Sequence, residues 1–486
     1  MSNIASSAAA SPLPRKTKLW YSLGQFGEGI KNESFAYFLL FYYTNVLDLP
    51  GTLAGLAVMI SFLVDAFVDP LMGVVSDRTR SRLGRRHPWI FASAIPLAAS
   101  LYLVFAPPAG LSQGELFAWM LGWTLVNRFA LTMFHVPYLS LGAELTRDWN
   151  ERTLLVSLRH TFGQLAGLFP AVLGLFWLFR STAEHGDGRL YAPAYPQYAA
   201  ISALCVLVTI FATAFMTRDR IAALPPPDGS ATSRGVLRAL WHDMSELLRQ
   251  RAFRAVFLGT AISSVASGVT ITLGLHAGTF FWDVEPRIMF YWRLVVMVAI
   301  VAGLGFWTRR AATHEKGAVF SEGLLWYVAI HTVVWALATA GIWPARESAS
   351  YVPLYLIGTG LLAPFAVAAV FAMGQSMMGD CADQDELTSG RRREGVFFGA
   401  SSFAQKLTYG GGAQVAGVIV DLVGLAGIHD IGSVTPEMRL RLGLAMTLSV
   451  LVLIGLSWFA FRQYDLTRAR VAEIHAQLEA RRKRLG

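Results

Sequence analysis

The sequence predicts an all-α membrane protein with twelve transmembrane helices in two pseudo-symmetric six-helix bundles. The chain has 486 residues, of which 54% are hydrophobic and only 15% are charged, whereas an average soluble protein carries roughly 25% charged residues. Apolar runs long enough to cross a bilayer recur from one end of the chain to the other. A polar, proline-rich stretch at 217–235 divides these runs six and six.

The individual spans are predicted from runs of about twenty apolar residues bounded by short polar turns. They cover residues 19–46, 51–75, 88–107, 114–143, 154–180, 197–216, 254–281, 289–308, 319–342, 351–378, 394–424 and 437–461. The predicted organisation has four parts, which are an N-terminal bundle (1–216), a cytoplasmic linker (217–253), a C-terminal bundle (254–463) and a basic cytoplasmic tail (464–486).

The tail and the linker each show a helical pattern of apolar residues. In the tail, Leu466, Val471, Ile474 and Leu478 recur at near-helical spacing beside many basic residues. This pattern predicts a helix that lies on the inner membrane surface, with a solvated helix as the alternative. Residues 236–251 of the linker are predicted to form a short amphipathic helix.

The positive charge of the chain, a formal net +9, is concentrated in alternate loops. Of the 41 lysines and arginines, 30 fall in the two tails and in every second loop. This bias is the positive-inside rule, and it predicts a multi-pass protein of the cell (inner) membrane with both termini in the cytoplasm. The basic residues therefore orient the protein in the lipid bilayer, and no nucleic-acid partner is expected.

Two carboxylates interrupt the second predicted span. Asp65 and Asp69 are four residues apart, so they share one helix face, one turn apart. Pro70 follows at once and invites a kink. Ionisable groups at this depth are rare and usually mark an ion pathway. Because two close carboxylates repel each other, a bound cation, a proton or a nearby basic group would stabilise them, so the pair predicts a coupling-ion site.

Polar residues of other spans are expected to converge on this pair. They are Glu28, Lys31 and Glu33 in the first span, Arg128, Thr132 and His135 in the fourth, Arg159 and His160 in the fifth, Arg293 in the eighth, His331 in the ninth and Lys406 in the eleventh. For His331 a structural role is favoured. Lys406 is deeply placed, and an unpaired ammonium there would be costly. It is predicted to pair with Asp65 or Asp69, and Thr132 is a further candidate ligand for the cation.

The loop after the second span, GVVSDRTRSRLGRR, predicts a charged clasp between helix ends. Its proposed gating residues are Gly73, Asp77, Arg78, Gly84, Arg85 and Arg86. Gly73 is expected to permit close helix approach, Asp77 to pair with an arginine and Gly84 to turn the chain. Such a clasp can hold a gate shut and release it, while the arginines also serve topology.

Three stretches together carry a family resemblance: DPLMGVVSDRTRSRLGRRHPW, NERTLLVSLRHTFG and DQDELTSGRRREGVFFGASSFAQKL. They resemble the melibiose-permease-like glycoside–pentoside–hexuronide:cation symporters of the major facilitator superfamily, over nearly the whole chain. The resemblance implies that Asp65 and Asp69 bind the coupling H+ or Na+. It also implies that the family's fifth-span arginine and eleventh-span lysine correspond to Arg159 and Lys406.

The resemblance implies a cation-coupled importer of a glycoside. The expected solute-binding residues are Gln25, Glu28, Arg128, His135, Arg159, Ser402 and Lys406. Two positions depart from the melibiose permease, because Gly29 and His135 stand where that protein has acids that bind sugar. FHVPY also resembles the animal sodium-dependent lysophospholipid symporters, so a lysophospholipid or another amphipathic solute is the alternative substrate.

The choice of cation depends on Val68, which stands where the melibiose permease has a sodium-binding asparagine. A valine side chain offers no oxygen, which favours H+, although backbone carbonyls or water could replace the missing ligand of Na+. A membrane enzyme has little support, since the sequence contains no H-E-x-x-H, G-x-S-x-G or P-loop pattern. No metal or other cofactor is expected apart from the coupling ion, and the chain is expected to function as a monomer.

Overall fold

The structure, a computed structural model, describes residues 13–146, 148–224, 244–390 and 394–485 as an all-α protein. The predicted class is confirmed. The twelve long helices are α1 Arg15–Ser34, α2 Gly51–Arg78, α3 His87–Val104, α4 Gln113–Glu144, α5 Trp149–Ala166, α6 Ala194–Met216, α7 Arg251–Thr272, α8 Pro286–Ala311, α9 Lys316–Thr339, α10 Tyr351–Ser389, α11 Glu394–Val423 and α12 Pro436–Phe461, and α13 Arg468–Leu485 follows them. Among the described residues, nine helices are long and apolar enough to cross a membrane.

Several helices contain π-helical turns. The path of α1 continues through Phe35–Leu39 and Tyr42–Val46, that of α5 through Ala171–Leu178, that of α7 through Ala277–Phe281, and α10 includes Leu356–Leu362. In α1, α5 and α7 these turns extend the helices close to the ends that the sequence predicts, whereas α10 runs on to Ser389, beyond its predicted end at residue 378. In α2, the helix runs on through Pro70.

Local sequence signals explain where the helices begin. Ser112 and Glu115 form a capping box at the start of α4, in which each side chain meets the other residue's backbone N–H. Proline occupies the first turn of α3, α8 and α12, where its missing N–H costs nothing. Gly84, with φ +72°, makes the turn between α2 and α3.

The twelve long helices alternate in direction, so the start of α1 and the end of α12 lie at one end of the molecule, here called the terminal end. The opposite end is called the far end. In the first half α1 packs on α5 and α6, and α4 packs on α2 and α3. In the second half α12 packs on α7 and α9, and α10 packs on α8 and α9. Helix α11 contacts both α7 of its own half and α2 of the other.

Glycines allow α11 to lie this close to its neighbours. A Cβ at Gly417 would collide with the backbone of Gly51 in α2, and one at Gly412 would collide with the backbone around Gly268 in α7. Asp421 then completes the contact at the far end, because its carboxylate accepts the backbone N–H groups of Gly51 and Thr52 at 2.6 and 2.7 Å. The first turn of α2 is thus capped by a residue of the other half.

Helix α7 begins at Arg251, inside the predicted linker, so the second bundle starts a few residues earlier than predicted. Helix α13 begins at Arg468 and lies within the predicted tail. Residues 225–243, which hold most of the predicted linker helix, and the motif arginines at 391–393 lie outside the described residues.

The tail helix α13 does not present its apolar face to a membrane, which corrects the sequence prediction. Leu466, Ile474 and Leu478 are buried, in one core cluster with Cys381 of α10. His475 also pairs with Asp383 at 2.9 Å. The apolar stripe of α13 packs against the second half of the protein, because an apolar protein surface was there to cover it. The sequence pattern alone cannot distinguish this partner from a lipid surface.

Candidate functional site

The two carboxylates of α2 meet a lysine from the other half of the protein. Lys406 Nζ of α11 lies 2.9 Å from Asp65 Oδ2 and also pairs with Asp69. Thr132 Oγ1 of α4 lies 2.9 Å from Asp65 Oδ1 and 2.8 Å from Asp69 Oδ1. Because a hydroxyl has one hydrogen, Thr132 donates to one carboxylate at a time. The predicted pairing of Lys406 with these carboxylates is therefore present, and it involves both of them.

Arg128 completes this cluster. Its guanidinium lies 3.7 Å from Asp65 Oδ2 and over the ring of Phe62, 3.7 Å from the ring centroid. Two carboxylates thus face two basic groups, and the formal charge of the cluster is zero. The ammonium of Lys406 occupies the position beside both carboxylates where a coupling cation would bind. A cation that bound there would compete with Lys406 for the same oxygens.

The cluster opens into a central cavity of about 660 Å³. The first half contributes most of its charged lining, which comprises Glu28, Lys31, Glu33, Asp65, Asp69, Arg128 and His135. The second half contributes an aromatic wall, defined here as Trp282, Trp292, Tyr327, Trp335, Tyr355 and Tyr409. A solute in the cavity would contact charged groups on one side and aromatic rings on the other.

Two further ion pairs line the cavity. His135 Nδ1 lies 2.9 Å from the Glu28 carboxylate, within the first half. Arg293 of α8 lies 3.1 Å from Glu33 of α1, so this pair crosses between the halves. Within the part of the chain that the structure describes, no three His, Cys, Asp or Glu side chains come together as a metal site.

Comparison with known proteins places this site in a family. The model of the family described as "MFS/sugar transport protein" matches residues 20–468. The chain belongs to that family. An uncharacterized symporter of Synechocystis sp. is 26% identical, over 99% of each chain. The isoprimeverose transporter of Lactiplantibacillus pentosus is 24% identical, over 86% of this chain and 82% of that protein.

The fold of this family member agrees with solved structures. A mutant of the nucleoside transporter NupG has a TM-score of 0.63 and 14% identity, and the match covers 92% of this chain and all of that one. This likeness shows the fold, which is the major facilitator fold predicted from the sequence. The chain is therefore a multi-pass membrane protein of a transporter family.

Four of the seven predicted solute-binding residues of this MFS protein line the cavity, namely Glu28, Arg128, His135 and Lys406. The other three lie elsewhere. Gln25 packs beside Gly163 at the α1–α5 interface, and Arg159 interacts with Tyr21. Ser402 is exposed one turn from Lys406, towards the terminal end. These three residues lie on the predicted helices but do not line the cavity, although Arg159 lies near enough to attract the carboxylate of Glu28.

The predicted gating residues form a cluster at the terminal end of the first half. Arg86 is buried, pairs with Asp77, and lies 2.7 Å from Glu144 of α4; Arg85 lies 2.9 Å from the same carboxylate. Arg78 is exposed at the end of α2. These contacts join helix ends within one half.

Gly73 differs from its prediction. A Cβ at this position would meet Val136 of α4 at 3.8 Å, which is an ordinary van der Waals distance. The approach of α2 to α4 in this structure therefore does not require glycine.

Sequence reasoning missed the aromatic wall and Glu144. Glu144 ends α4, and its acidic side chain near the basic loop after α2 was a usable signal. The aromatic residues of the wall gave no such signal, because in a sequence a tryptophan that lines a cavity cannot be told from one that faces lipid. Trp177, for example, is 60% exposed on the protein surface, whereas Trp335 lines the cavity.

Proposed function

We propose that this MFS protein is a secondary active transporter that couples the import of a glycoside or a related carbohydrate to a cation gradient by alternating access. The observation that carries the proposal is the contact of Lys406 with Asp65 and Asp69. It joins the predicted cation ligands of one half to a charged residue of the other. A cation that replaced the ammonium would break a link between the halves, which is a physical route from ion binding to conformational change.

The aromatic wall supports a sugar-like solute. The apolar faces of sugar rings pack against aromatic side chains, while their hydroxyls need hydrogen-bonding partners such as Glu28 and His135. The related isoprimeverose transporter is consistent with a glycoside. A lysophospholipid or another amphipathic solute is the second candidate, and the aromatic wall would then hold its apolar part.

The coupling ion in this proposal is H+ or Na+, bound by Asp65, Asp69 and Thr132. We favour H+, because a proton needs a single carboxylate, whereas Na+ needs several oxygen ligands and Val68 supplies none from its side chain. Catalytic activity has no part in the proposal. The basic loops support a location in the cell membrane with both termini in the cytoplasm, and one chain supplies both walls of the cavity, which suits a monomeric transporter.

The test is uptake into proteoliposomes that contain the purified full-length protein. Radiolabelled isoprimeverose, other glycosides and a lysophospholipid are offered under an imposed H+ or Na+ gradient, with protein-free liposomes as the control. We expect a glycoside to accumulate only while a gradient exists. Uptake that persists after both gradients are collapsed would reject coupling, and transport of the lysophospholipid alone would replace the sugar with the second candidate.

A further inference from the structure

Helix α8 carries a shallow groove on its outer face, close to the terminal end. The groove has a volume of about 540 Å³ and shares no lining residue with the central cavity. Of the nine helices in the described residues that are long and apolar enough to cross a membrane, α8 has the smallest buried share. The groove therefore faces the lipid. Its lining recurs at every fourth position, on one helix face, and includes Val301, Ala302, Gly305, Phe306, Arg309 and Arg310.

Small residues keep the apolar part of the groove open. A Cβ at Gly305 would meet no atom within 4 Å, and Ala302 is exposed on the same face. Val301 and Phe306 are exposed as well. From Val301 to Arg309 the helix rises by about 12 Å, which is enough for part of an acyl chain to lie along the groove while its headgroup reaches the arginines.

The terminal end of the groove is basic. Arg309 is exposed, and among the described residues no carboxylate lies within ion-pairing distance of it. Arg310 donates from Nε to Glu322 Oε2 at 2.7 Å, and this contact uses one of its three guanidinium nitrogens. Thr313 Oγ1 and His314 Nδ1 each lie 3.2 Å from the carbonyl oxygen of Arg310, so both turn towards the backbone. The positive charge of the groove therefore comes from two guanidinium groups.

The corresponding arginines of the first half have partners inside the protein. Helices α2 and α8 are the second long helices of their halves, and two adjacent arginines follow α2 and end α8. In the first half, Arg85 and Arg86 lie 2.9 and 2.7 Å from the Glu144 carboxylate. Arg309 has no such partner in the part of the chain that the structure describes. Its N–H groups are available for charge-assisted hydrogen bonds to an oxyanion from outside the protein.

We propose that this groove binds one anionic phospholipid of the leaflet at the terminal end, with the phosphate at Arg309 and Arg310 and an acyl chain along the apolar lining. Basic pockets at this level of membrane proteins bind anionic headgroups. None of the described residues that line the groove is acidic, and the nearby Glu322 is already paired, so the ammonium of a zwitterionic headgroup has no partner there. The site is separate from the central cavity, so this lipid is a bound component and not the transported solute.

The test compares two lipids with the same palmitoyl and oleoyl chains, one a phosphatidylglycerol and the other a phosphatidylcholine. Affinity for the first bound lipid is measured by native mass spectrometry on the delipidated, purified full-length protein. Arg309→Gln removes one charge, and Gly305→Leu fills the groove without a collision at its Cβ. Glycerol phosphate, offered as a competitor, tests the headgroup without its chains.

Each variant has a matched control on α12, which also ends at the terminal end. Gly455, like Gly305, is exposed, lies six residues before the end of its helix and has open space at its Cβ position. Gly455→Leu therefore adds the same side chain at the same depth. Arg462→Gln removes an exposed arginine that directly follows α12. Thermal unfolding of every variant shows whether it is folded.

We expect wild type to bind the phosphatidylglycerol at least about 5-fold more tightly than the phosphatidylcholine, because each basic group near an anionic lipid contributes about that factor. Arg309→Gln should lose about 5-fold in affinity for the phosphatidylglycerol and leave the phosphatidylcholine unchanged. Gly305→Leu should weaken both lipids by at least about 4-fold, which is the effect of one buried methylene group. Both control variants should match wild type, and glycerol phosphate should not compete.

Equal affinity of wild type for the two lipids overturns the inference, and so does unchanged affinity in folded Gly305→Leu. If Arg309→Gln and Arg462→Gln lose affinity for the phosphatidylglycerol equally, the general charge of the surface is responsible and the groove is not a site. Glycerol phosphate that displaces the lipid at equal concentration would also overturn it, because the arginines would then bind a free phosphate group.

Discussion

The two walls of the cavity differ in chemistry. The wall of the first half, here called the charged wall, holds the paired acids and bases, among them Glu28, Asp65, Asp69 and Arg128, whereas the second half contributes the aromatic wall. Two basic side chains of the second half cross to the first, since Lys406 meets Asp65 and Asp69, and Arg293 meets Glu33. The difference suggests a division of labour in which one half binds the ion and the other holds the body of the solute.

This division predicts different effects for variants of the charged wall and variants of the aromatic wall. A change at Asp65 or Asp69 of the charged wall should act on coupling, because charge partners inside a membrane protein cannot be exchanged with water at low cost. A change on the aromatic wall should act on solute affinity, since an aromatic contact contributes about 1 kcal/mol beyond the area that it buries.

Neutralising the predicted cation ligands should have the largest effect. Asp65→Asn and Asp69→Asn each remove one negative charge, and we expect each to abolish gradient-driven accumulation. Binding of the solute should survive, because the aromatic wall is unchanged. The measurement is uptake in proteoliposomes under imposed H+ and Na+ gradients, beside solute binding in detergent.

The control for this pair is Asp430→Asn. Asp430 lies in an exposed turn at the far end, where its Oδ1 accepts the N–H of Gly432 at 3.0 Å, and asparagine keeps that acceptor. It should transport like wild type. If Asp65→Asn or Asp69→Asn also accumulates solute like wild type under both gradients, that carboxylate is not needed for coupling.

Removing Lys406, whose side chain reaches from the second half to the carboxylates of the first, should lower the stability of the fold. Lys406→Ala leaves Asp65 with Arg128 and Thr132, but it leaves Asp69 with Thr132 alone among the described residues. Breaking a buried ion pair typically costs about 3–5 kcal/mol. We expect poor expression and a lower melting temperature, measured by fluorescence-detected chromatography and thermal unfolding in detergent.

Second-site changes sharpen this prediction, because the two aspartates differ in their remaining partners. The double variant Lys406→Ala, Asp69→Asn should recover expression, because Asp69, which has no basic partner once Lys406 is removed, is then neutral. Lys406→Ala with Asp65→Asn should recover less, because the charge of Asp69 persists. Neither double variant should regain coupling. Equal failure of both double variants would refute the proposed pairing.

The sequence predicted twelve transmembrane helices, which is more than a test of hydropathy and length finds among the described residues. Nine helices in the described residues pass a simple test of length and apolar character. Helices α1, α4 and α11 are not among the nine, and they carry Lys31, Arg128 and Lys406. The residues of the predicted site lower the hydropathy of the helices that hold them, and these spans were predicted because each is still a run of about twenty mainly apolar residues between polar turns.

The cavity was only partly predictable. Buried charges stand out in an apolar sequence, which is why Lys406 could be paired with Asp65 or Asp69 from the sequence alone. Their depth and exact facing depend on helix tilt and on close contacts such as Gly417 with Gly51. Ser402 was therefore assigned to the site, although it lies one turn before Lys406 on α11 and does not line the cavity. No local signal separates aromatic residues that line a cavity from those that face lipid.

A change on the aromatic wall should have a moderate effect on affinity. The indole of Trp292 is held by a 3.0 Å hydrogen bond from Nε1 to Thr359 Oγ1. We expect Trp292→Leu to raise KM by about 5-fold, in keeping with about 1 kcal/mol for an aromatic contact, with the ion dependence unchanged. Trp292→Phe should lose less. The measurement is the initial rate of uptake against solute concentration.

The control is Trp177→Leu, since Trp177 lies exposed on the outer surface. Its KM should equal that of wild type. A change in the ion dependence of Trp292→Leu would contradict the division of labour, because the aromatic wall would then take part in coupling.

The smallest effect is expected from a substitution at Val68, the residue that precedes Asp69. Val68 is partly buried on α2, and the cavity is lined at this level by Asp65 and Asp69. A proton needs one carboxylate, whereas Na+ needs several oxygens, and an asparagine at position 68 would add a single amide oxygen at the edge of the site. We expect H+-driven uptake in wild type, and Val68→Asn should add at most a small stimulation by Na+.

The measurement is uptake at fixed pH with a proton uncoupler present and an imposed Na+ gradient, with Val64→Asn as the matched control one turn earlier on α2. Concentrative uptake by wild type under these conditions would overturn the preference for H+. In that case backbone carbonyls or water already complete the Na+ site, and Val68→Asn should strengthen an existing Na+ dependence rather than create one.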